Sequence, residues 1–267
     1  DKVEFEILFS CYDFTVEKRL QDLKKNGFSI KEIKEIKKSV LELTNNVFLN
    51  FSNISNNASK SIEKIKPEII FHLAAQPYVI RSYKNPLETI RSNILGVSNL
   101  LDICRNIKTL KFFLNVTTDK CYENDDNKKA FKETDNLGGK DIYSSSKACS
   151  EILTKSFYES FLKNNIAVGT ARAGNVIGGG DFGEDRLIPD IFESIINKNR
   201  LTIRNPNSIR PWQYIFDVLN GYLVQTAMLK KIRKKEVLSY NFAPVQKDVV
   251  TVKEIVDYIA KYFKFKD

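Results

Sequence analysis

Leu110-Lys111-Phe112-Phe113-Leu114-Asn115-Val116-Thr117-Thr118-Asp119-Lys120 runs from an apolar stretch into a polar end, and Ile142-Tyr143-Ser144-Ser145-Ser146-Lys147 follows it. The apolar run 110–116 predicts a buried β-strand that Thr117-Thr118-Asp119-Lys120 closes. Residues 142–162 predict a long helix. On that helix Tyr143 and Lys147 stand four apart and share a face. A nearby ammonium lowers a phenol's pKa, so the pair is a candidate base near neutral pH. The Thr-Asp-Lys cluster at the strand end adds a hydroxyl, an acid and a second amine. Together the two motifs point to oxidation of an alcohol followed by a second proton transfer.

The pattern repeats on either side. Residues 68–73 predict a buried strand, and Pro86 opens a long helix through Cys104. Residues 166–171 predict a strand running into the Gly-rich turn Gly178-Gly179-Gly180-Asp181. Residues 187–196 read as a helix and 237–242 as a last core strand. Toward the N-terminus, 3–9 and 47–51 read as strands and 16–25 as a helix stopped by Gly27. Ser29 and Glu32 have the spacing of a capping box for a further helix. Residues 55–65 predict another helix, halted before Pro67. Strands alternating with helices predict an α/β fold with a doubly wound parallel sheet.

Composition removes several function classes. No stretch of the 267 residues approaches the roughly 20 apolar positions that cross a bilayer, so no membrane role is expected. The opening Asp1-Lys2-Val3-Glu4-Phe5 lacks the layout of a signal peptide, and a cytoplasmic location is expected. Cys11, Cys104, Cys121 and Cys149 show no paired ligand spacing, and His72 is the only histidine. No metal site is expected, and the thiols read as structural. The net charge is +9, and Lys230, Lys231, Arg233, Lys234 and Lys235 form the densest basic run. No Arg and stacking-aromatic pattern accompanies it, so it reads as a solvated helix end rather than a nucleic-acid site. The same field draws a small anionic ligand such as a nucleotide.

Several segments, in order, resemble the extended short-chain dehydrogenase/reductase family. They are His72-Leu73-Ala74-Ala75-Gln76-Pro77, Ser92-Asn93-Ile94-Leu95-Gly96, Thr117-Thr118-Asp119-Lys120-Cys121-Tyr122 and Leu137-Gly138-Gly139. Tyr143 through Lys147, Ala171-Arg172-Ala173-Gly174-Asn175-Val176-Ile177 with the Gly-rich turn, and Arg210-Pro211-Trp212-Gln213 complete the set. Within the family, Lys120 is similar to the CDP-glucose branch of the sugar-nucleotide 4,6-dehydratases; the other branches mostly carry Glu there.

The resemblance implies an internal redox cycle on bound NAD with CDP-glucose as substrate, in deoxysugar synthesis. Tyr143 would deprotonate the 4-hydroxyl, Lys147 would hold the phenolate and the nicotinamide ribose, and Thr118 would bond the 4-oxygen. Lys120 would remove the C5 proton, and Asp119 would protonate the departing 6-hydroxyl. Ala74, Ala75, Gln76, Asn93 and Thr117 would join Tyr143 and Lys147 around the cofactor. Asn175, Arg204 and Arg210 are candidates for the substrate nucleotide and its pyrophosphate, since Arg suits forked phosphate contacts. His72 is expected to be a core histidine. The resemblance also implies a homodimer through the helices bearing Asn93 and Tyr143. Residues 1–180, with 212–244 returning to them, would form the NAD-binding domain. Residues 181–211 and 245–267 would form a partial substrate-binding lobe.

Two stretches depart from that pattern. The first strand should lead into a Gly-rich turn and a helix, but Ser10-Cys11-Tyr12-Asp13-Phe14 contains no glycine. The acidic residue expected about 20 positions on has no counterpart, and Asn50 and Asn53 match an acidic pair only loosely. The sequence ends soon after Thr251-Val252-Lys253-Glu254-Ile255, where the family continues. The competing expectation is therefore a catalytically impaired nucleotide-sugar-binding relative, or another NAD-dependent dehydratase or epimerase.

Overall fold

The computed structural model describes residues 54–124, 130–181, 183, 185–232, 236–244 and 250–263. The elements expected at 3–51, the glycine-free turn at 10–14, Asn50 and Asn53, and the basic residues 233–235 lie outside the described residues.

In chain order, helix α1 (Ile54–Ile65) leads into strand β1 (Ile69–His72), and the short helix α2 (Val79–Lys84) follows. Next come α3 (Pro86–Ile90), a π-helical turn (Arg91–Leu95) and α4 (Gly96–Cys104), then strand β2 (Phe112–Val116). A 3₁₀ turn (Asp119–Cys121) precedes α5 (Ile142–Phe157), a second π-helical turn (Tyr158–Leu162) and strand β3 (Ala167–Ala173). Helices α6 (Leu187–Asn197) and α7 (Ile215–Ile232) precede the fourth core strand, β4 (Leu238–Phe242), and α8 (Val252–Tyr262) comes last.

The four core strands form one sheet in the order β1-β2-β3-β4, every pair parallel. One row of the register reads His72, Asn115, Thr170, Ser239 across all four. Successive residues of a strand face opposite sides, and both sides are covered. Phe113 packs with Val97, Leu101, Tyr158 and Leu162. Its neighbour Leu114 packs with Ala171, Val218 and Tyr222. Helices α4 and α5 lie together, while α7 packs on β2 and β3. This is the doubly wound arrangement expected from the strand–helix alternation, and it explains why all seven residues of β3 are buried.

The expected helix from Pro86 to Cys104 is broken by its π-helical turn, which holds the buried Asn93. The α5 helix likewise passes into a π turn before Leu162. Helix α7 was not legible in the sequence. Its buried side mixes Val218, Tyr222 and Leu229 with Gln225 and Thr226, while Phe216, Leu223 and Val224 are exposed. An apolar stripe with that little contrast has no clear helical period.

The chain also forms two small ribbons beside the sheet. Val176–Ile177 pairs in parallel with Gln213–Tyr214, and Ile209–Arg210 pairs antiparallel with Val250–Thr251. No described helix is long and apolar enough to cross a membrane.

Candidate active site

The start of α5 is fixed by local chemistry. Asp141 caps it: its carboxylate accepts the Ser144 backbone N–H at 2.9 Å and the Ser144 hydroxyl at 2.8 Å. Gly139 lies so close to the first turn that a Cβ there would stand 2.4 Å from the Ser145 nitrogen. The Leu137-Gly138-Gly139 segment also ties to the 3₁₀ turn, since Gly138 N–H donates to the Cys121 carbonyl at 2.8 Å. Thus the helix carrying Tyr143 and Lys147 is seated against the segment carrying Thr118, Asp119 and Lys120.

These residues meet at the carboxyl ends of β1 and β2, where open α/β sheets bind ligands. Lys147 is buried, and its ammonium donates to the Val116 carbonyl at 3.1 Å. Tyr143 is buried and hydrogen-bonded to Thr118. The Thr118 hydroxyl is 3.1 Å from Asp119 Oδ1 and also accepts from the Lys120 backbone N–H. Asp119 is partly buried, whereas Lys120 is exposed.

Burial pushes the Tyr143 phenol up to about 12; the Thr118 hydrogen bond and the Arg186 charge pull it down, while Asp119 and Asp141 push it up. The lowering expected from Lys147 is therefore not the net result here, because desolvation of the phenolate dominates. Burial likewise raises the Asp119 carboxyl, against the charges of Lys120 and Arg210 and the Thr118 hydrogen bond. A carboxyl displaced upward holds its proton longer, as a general acid requires.

The cofactor-side candidates form a second cluster. Asn93 Oδ1 accepts the Gln76 N–H at 2.7 Å, and Asn93 Nδ2 donates to the Gln76 carbonyl at 3.0 Å and to Ser146 Oγ at 2.9 Å. The π turn thus brings an amide from one helix to both the β1 end and α5. Gln76 Nε2 donates to Thr89 at 2.6 Å. Ala74 and Ala75 are half-buried, small and beside this cluster. Thr117 is nearby, with its hydroxyl turned inward, 2.5 Å from Glu151 Oε1. His72 is buried and stacked on Phe113, and burial with the Lys147 charge drops its pKa to about 3, leaving it a neutral core residue.

The three substrate candidates separate. Asn175 sits where β3 leaves the sheet, its carbonyl accepting the Gln213 N–H at 2.8 Å. A Cβ on Gly174 would stand 2.6 Å from Pro211 Cγ and 3.3 Å from Asp119 Oδ2. That close approach seats the Arg210-Pro211 segment beside Asp119. Arg204 instead is exposed, its guanidinium 3.8 Å from Asp185.

Sequence reading missed Arg186 and Tyr78. Arg186 pairs with Asp181 at 2.9 Å and covers the Tyr78 ring at 5.0 Å while its charge reaches Tyr143. A single Arg beyond a Gly-rich turn carries no pattern of its own. Among the described residues, no cluster of His, Cys, Asp and Glu could hold a metal.

A parallel α/β sheet with a Tyr–Lys pair and a Thr-Asp-Lys turn at its carboxyl edge defines a class of nucleotide-handling, short-chain-dehydrogenase-like proteins. The sequence model for GDP-mannose 4,6 dehydratase matches residues 14–264, so the chain belongs to that family. It is 43% identical over 203 residues to CDP-glucose 4,6-dehydratase of Salmonella typhimurium, covering 74% of this chain and 56% of that protein. It is 34% identical to dTDP-D-glucose 4,6-dehydratase of Dictyostelium discoideum, covering 60% of this chain and 38% of that protein. The chain thus spans about half, or less, of the length of these relatives. Among solved structures, UDP-glucuronic acid 4-epimerase from Bacillus cereus, in complex with UDP-glucuronic acid and NAD, superposes with a TM-score of 0.70. That match has 22% identity and covers 82% of this chain and 65% of that one. A dTDP-glucose 4,6-dehydratase from Streptomyces venezuelae, with NAD bound, superposes with a TM-score of 0.67 at 19% identity, covering 79% and 62%. These two likenesses establish the fold.

Proposed function

We propose that the chain carries the catalytic core of a CDP-glucose 4,6-dehydratase, converting CDP-glucose to CDP-4-keto-6-deoxyglucose in the cytoplasm. The observation that carries this reading is the meeting of Tyr143, Thr118 and Asp119 at one strand end, with Lys147 behind them.

The residues present fit a dinucleotide on one side of that edge. Half-buried Ala74 and Ala75 leave backbone open to close approach. Gln76, Asn93 and Thr117 lie beside them, and the Lys147 ammonium is the donor suited to a nicotinamide ribose, with Tyr143 next to it. The chemistry NAD supplies when bound is hydride acceptance from C4 of the sugar and hydride return to C6. Tyr143, once held as phenolate by the Lys147 ammonium in the occupied site, takes the 4-hydroxyl proton, and Thr118 holds the 4-oxygen. The resulting ketone acidifies the C5 proton, which Lys120 removes. Asp119 gives its proton to the 6-hydroxyl, which leaves as water. With hydride returned to C6 and the proton held by Lys120 returned to C5, the net change is loss of one water. Arg210, beside Asp119, and Asn175 face the substrate nucleotide, with Arg204 further out.

The proposed division of the chain follows. Residues 1–180 and 212–244 form the cofactor domain, supported by β4 joining the core sheet. Residues 181–211 and 245–267 form part of a substrate lobe. A homodimer through the Asn93 and Tyr143 helices is supported by exposed Tyr83, Leu87, Leu95 and Ile152 on that side.

The test is mass-spectrometric detection of water loss from CDP-glucose with the purified chain and added NAD⁺. Tyr143→Phe should abolish conversion and leave nucleotide-sugar binding in place. Binding without conversion by the unmodified chain would establish the impaired relative instead.

A further inference from the structure

Strand β3 buries Arg172 in the middle of the sheet, with 5% of its side chain exposed, against Glu151 of α5 at 2% and 2.8 Å away. Neither residue belongs to the proposed proton-transfer chemistry. An isolated pair would be expected to close as a two-pronged fork, the strongest Arg–carboxylate geometry. This one does not. Arg172 gives only Nη2 to Glu151. Its Nη1 reaches the Tyr122 hydroxyl at 2.8 Å and the Glu133 carbonyl at 3.1 Å, while Nε has no partner.

Glu151 also divides its oxygens. Oε1 accepts from Thr117 at 2.5 Å, and Oε2 accepts from Thr170 at 2.7 Å as well as from Arg172. Glu151 stands one helical turn after Lys147 and two after Tyr143 on α5. The Tyr122 hydroxyl donates in turn to Asn241 Oδ1 at 2.6 Å, and the Asn241 N–H donates to Glu133 Oε1 at 2.8 Å. The pair therefore grips both ends of one short segment: Thr117 through Glu151, and Tyr122 through Arg172. Thr118, Asp119 and Lys120 lie between those two grips.

We propose that Arg172 and Glu151 are positioning residues that register the Thr118-Asp119-Lys120 segment against the Tyr143–Lys147 face of α5. The catalytic meaning of that registration rests on the dehydration proposed above. The grip on Tyr122 lies beyond Asp119 and Lys120. Loosening it disturbs the acid and amine of water loss before it disturbs Tyr143, which α5 holds independently.

Tyr122→Phe tests this with little disturbance of packing, since only the hydroxyl is lost and the Phe131 stacking partner remains at 4.9 Å. The first readout is amide hydrogen exchange in the unliganded chain, which needs no turnover. Exchange of Cys121 and Glu123, bonded to the Thr118 and Asn136 carbonyls, should quicken tenfold or more while the amides of α5 stay unchanged. The second readout is single-turnover quenching with CDP-glucose and NAD⁺. Water loss should slow at least tenfold and C4 oxidation less than threefold, and Glu151→Gln should show the same split. Arg172→Lys, which keeps one charged donor, should restore part of the loss seen in Arg172→Met. Unchanged exchange at Cys121 and Glu123, or equal quickening in α5, overturns the proposal. If the unmodified chain does not dehydrate CDP-glucose, the functional reading fails while the exchange readout still decides the positioning role.

Discussion

Asp119 illustrates how a residue's surroundings, rather than its type, set its use. Beside a Lys in the sequence, it would be expected to ionise easily. In the fold, burial outweighs the neighbouring charges of Lys120 and Arg210, and the carboxyl titrates above its ordinary 3.8. The consequence for stability has a definite sign. The folded state keeps a proton that the unfolded chain has released, so stability falls as pH rises from 3.8 through the folded value. Asp119→Asn removes that term. The variant should resist urea better than the parent at pH 7, and the two midpoints should converge below pH 3.8. A variant that is less stable at pH 7 would show that the carboxylate is favoured in the fold. Tyr143, Lys147 and Asp119 were legible as candidates because each belongs to a short local motif. The Arg172–Glu151 pair and the Arg186–Tyr78 contact were not, because their partners arrive from distant parts of the chain: Arg172 is 50 residues from Tyr122. The base strength of Tyr143 was misjudged for a related reason, since spacing reports a neighbour but not the solvent lost.

At the scale of elements, α5 does most to build the site. It is capped by Asp141, pressed by Gly139 and tied to β3 through Glu151. The glycine is required by space: an added methyl would meet backbone of Ser144 and Ser145, which cannot swing aside. Gly139→Ala should therefore cost about 1–3 kcal/mol, the range for forced overpacking, and calorimetry should show it as a lowered Tm. The ion pair between α5 and β3 should matter more. Arg172→Met leaves the Glu151 carboxylate buried without its cation, and losses of about 3–5 kcal/mol accompany such breakage. Replacing both, as Glu151→Gln with Arg172→Met, should recover much of that in urea titrations. The expected core strands were legible because parallel strands buried on both faces read as continuous apolar runs. The π turns were not, since a helix with one extra residue keeps ordinary helix-forming side chains. The reason for Asn93 within that helix appeared once its amide was seen bridging Gln76 and Ser146. Helix α7 escaped because polar Gln225 and Thr226 are buried while Leu223 and Val224 face outward.

For the whole molecule, the parallel order β1-β2-β3-β4 places every described candidate except Arg204 toward one edge of the sheet. Exposed apolar side chains occur on α2, α3 and α5, where Tyr83 is 68% exposed and Leu87 62%, as they do on α6, α7 and α8. Large exposed apolar groups in one region mark an interaction surface. Leu87→Glu should shift a homodimer to monomer in sedimentation at micromolar concentration without lowering Tm by more than a few degrees. An unchanged mass would place any self-association on another face.

The bond from Tyr122 to Asn241 spans 119 residues, and Asn241 lies on the last core strand. During synthesis, Tyr143 and Lys147 leave the ribosome long before the strand that completes the grip on their neighbours. Closing so long a loop is entropically slow, and parallel pairings of this kind form late. A nascent chain halted short of residue 238 would therefore hold the Tyr–Lys pair on its helix with the opposing Asp119 segment still unregistered. The order of the chain thus makes registration of the Asp119 segment wait for a strand translated long after it.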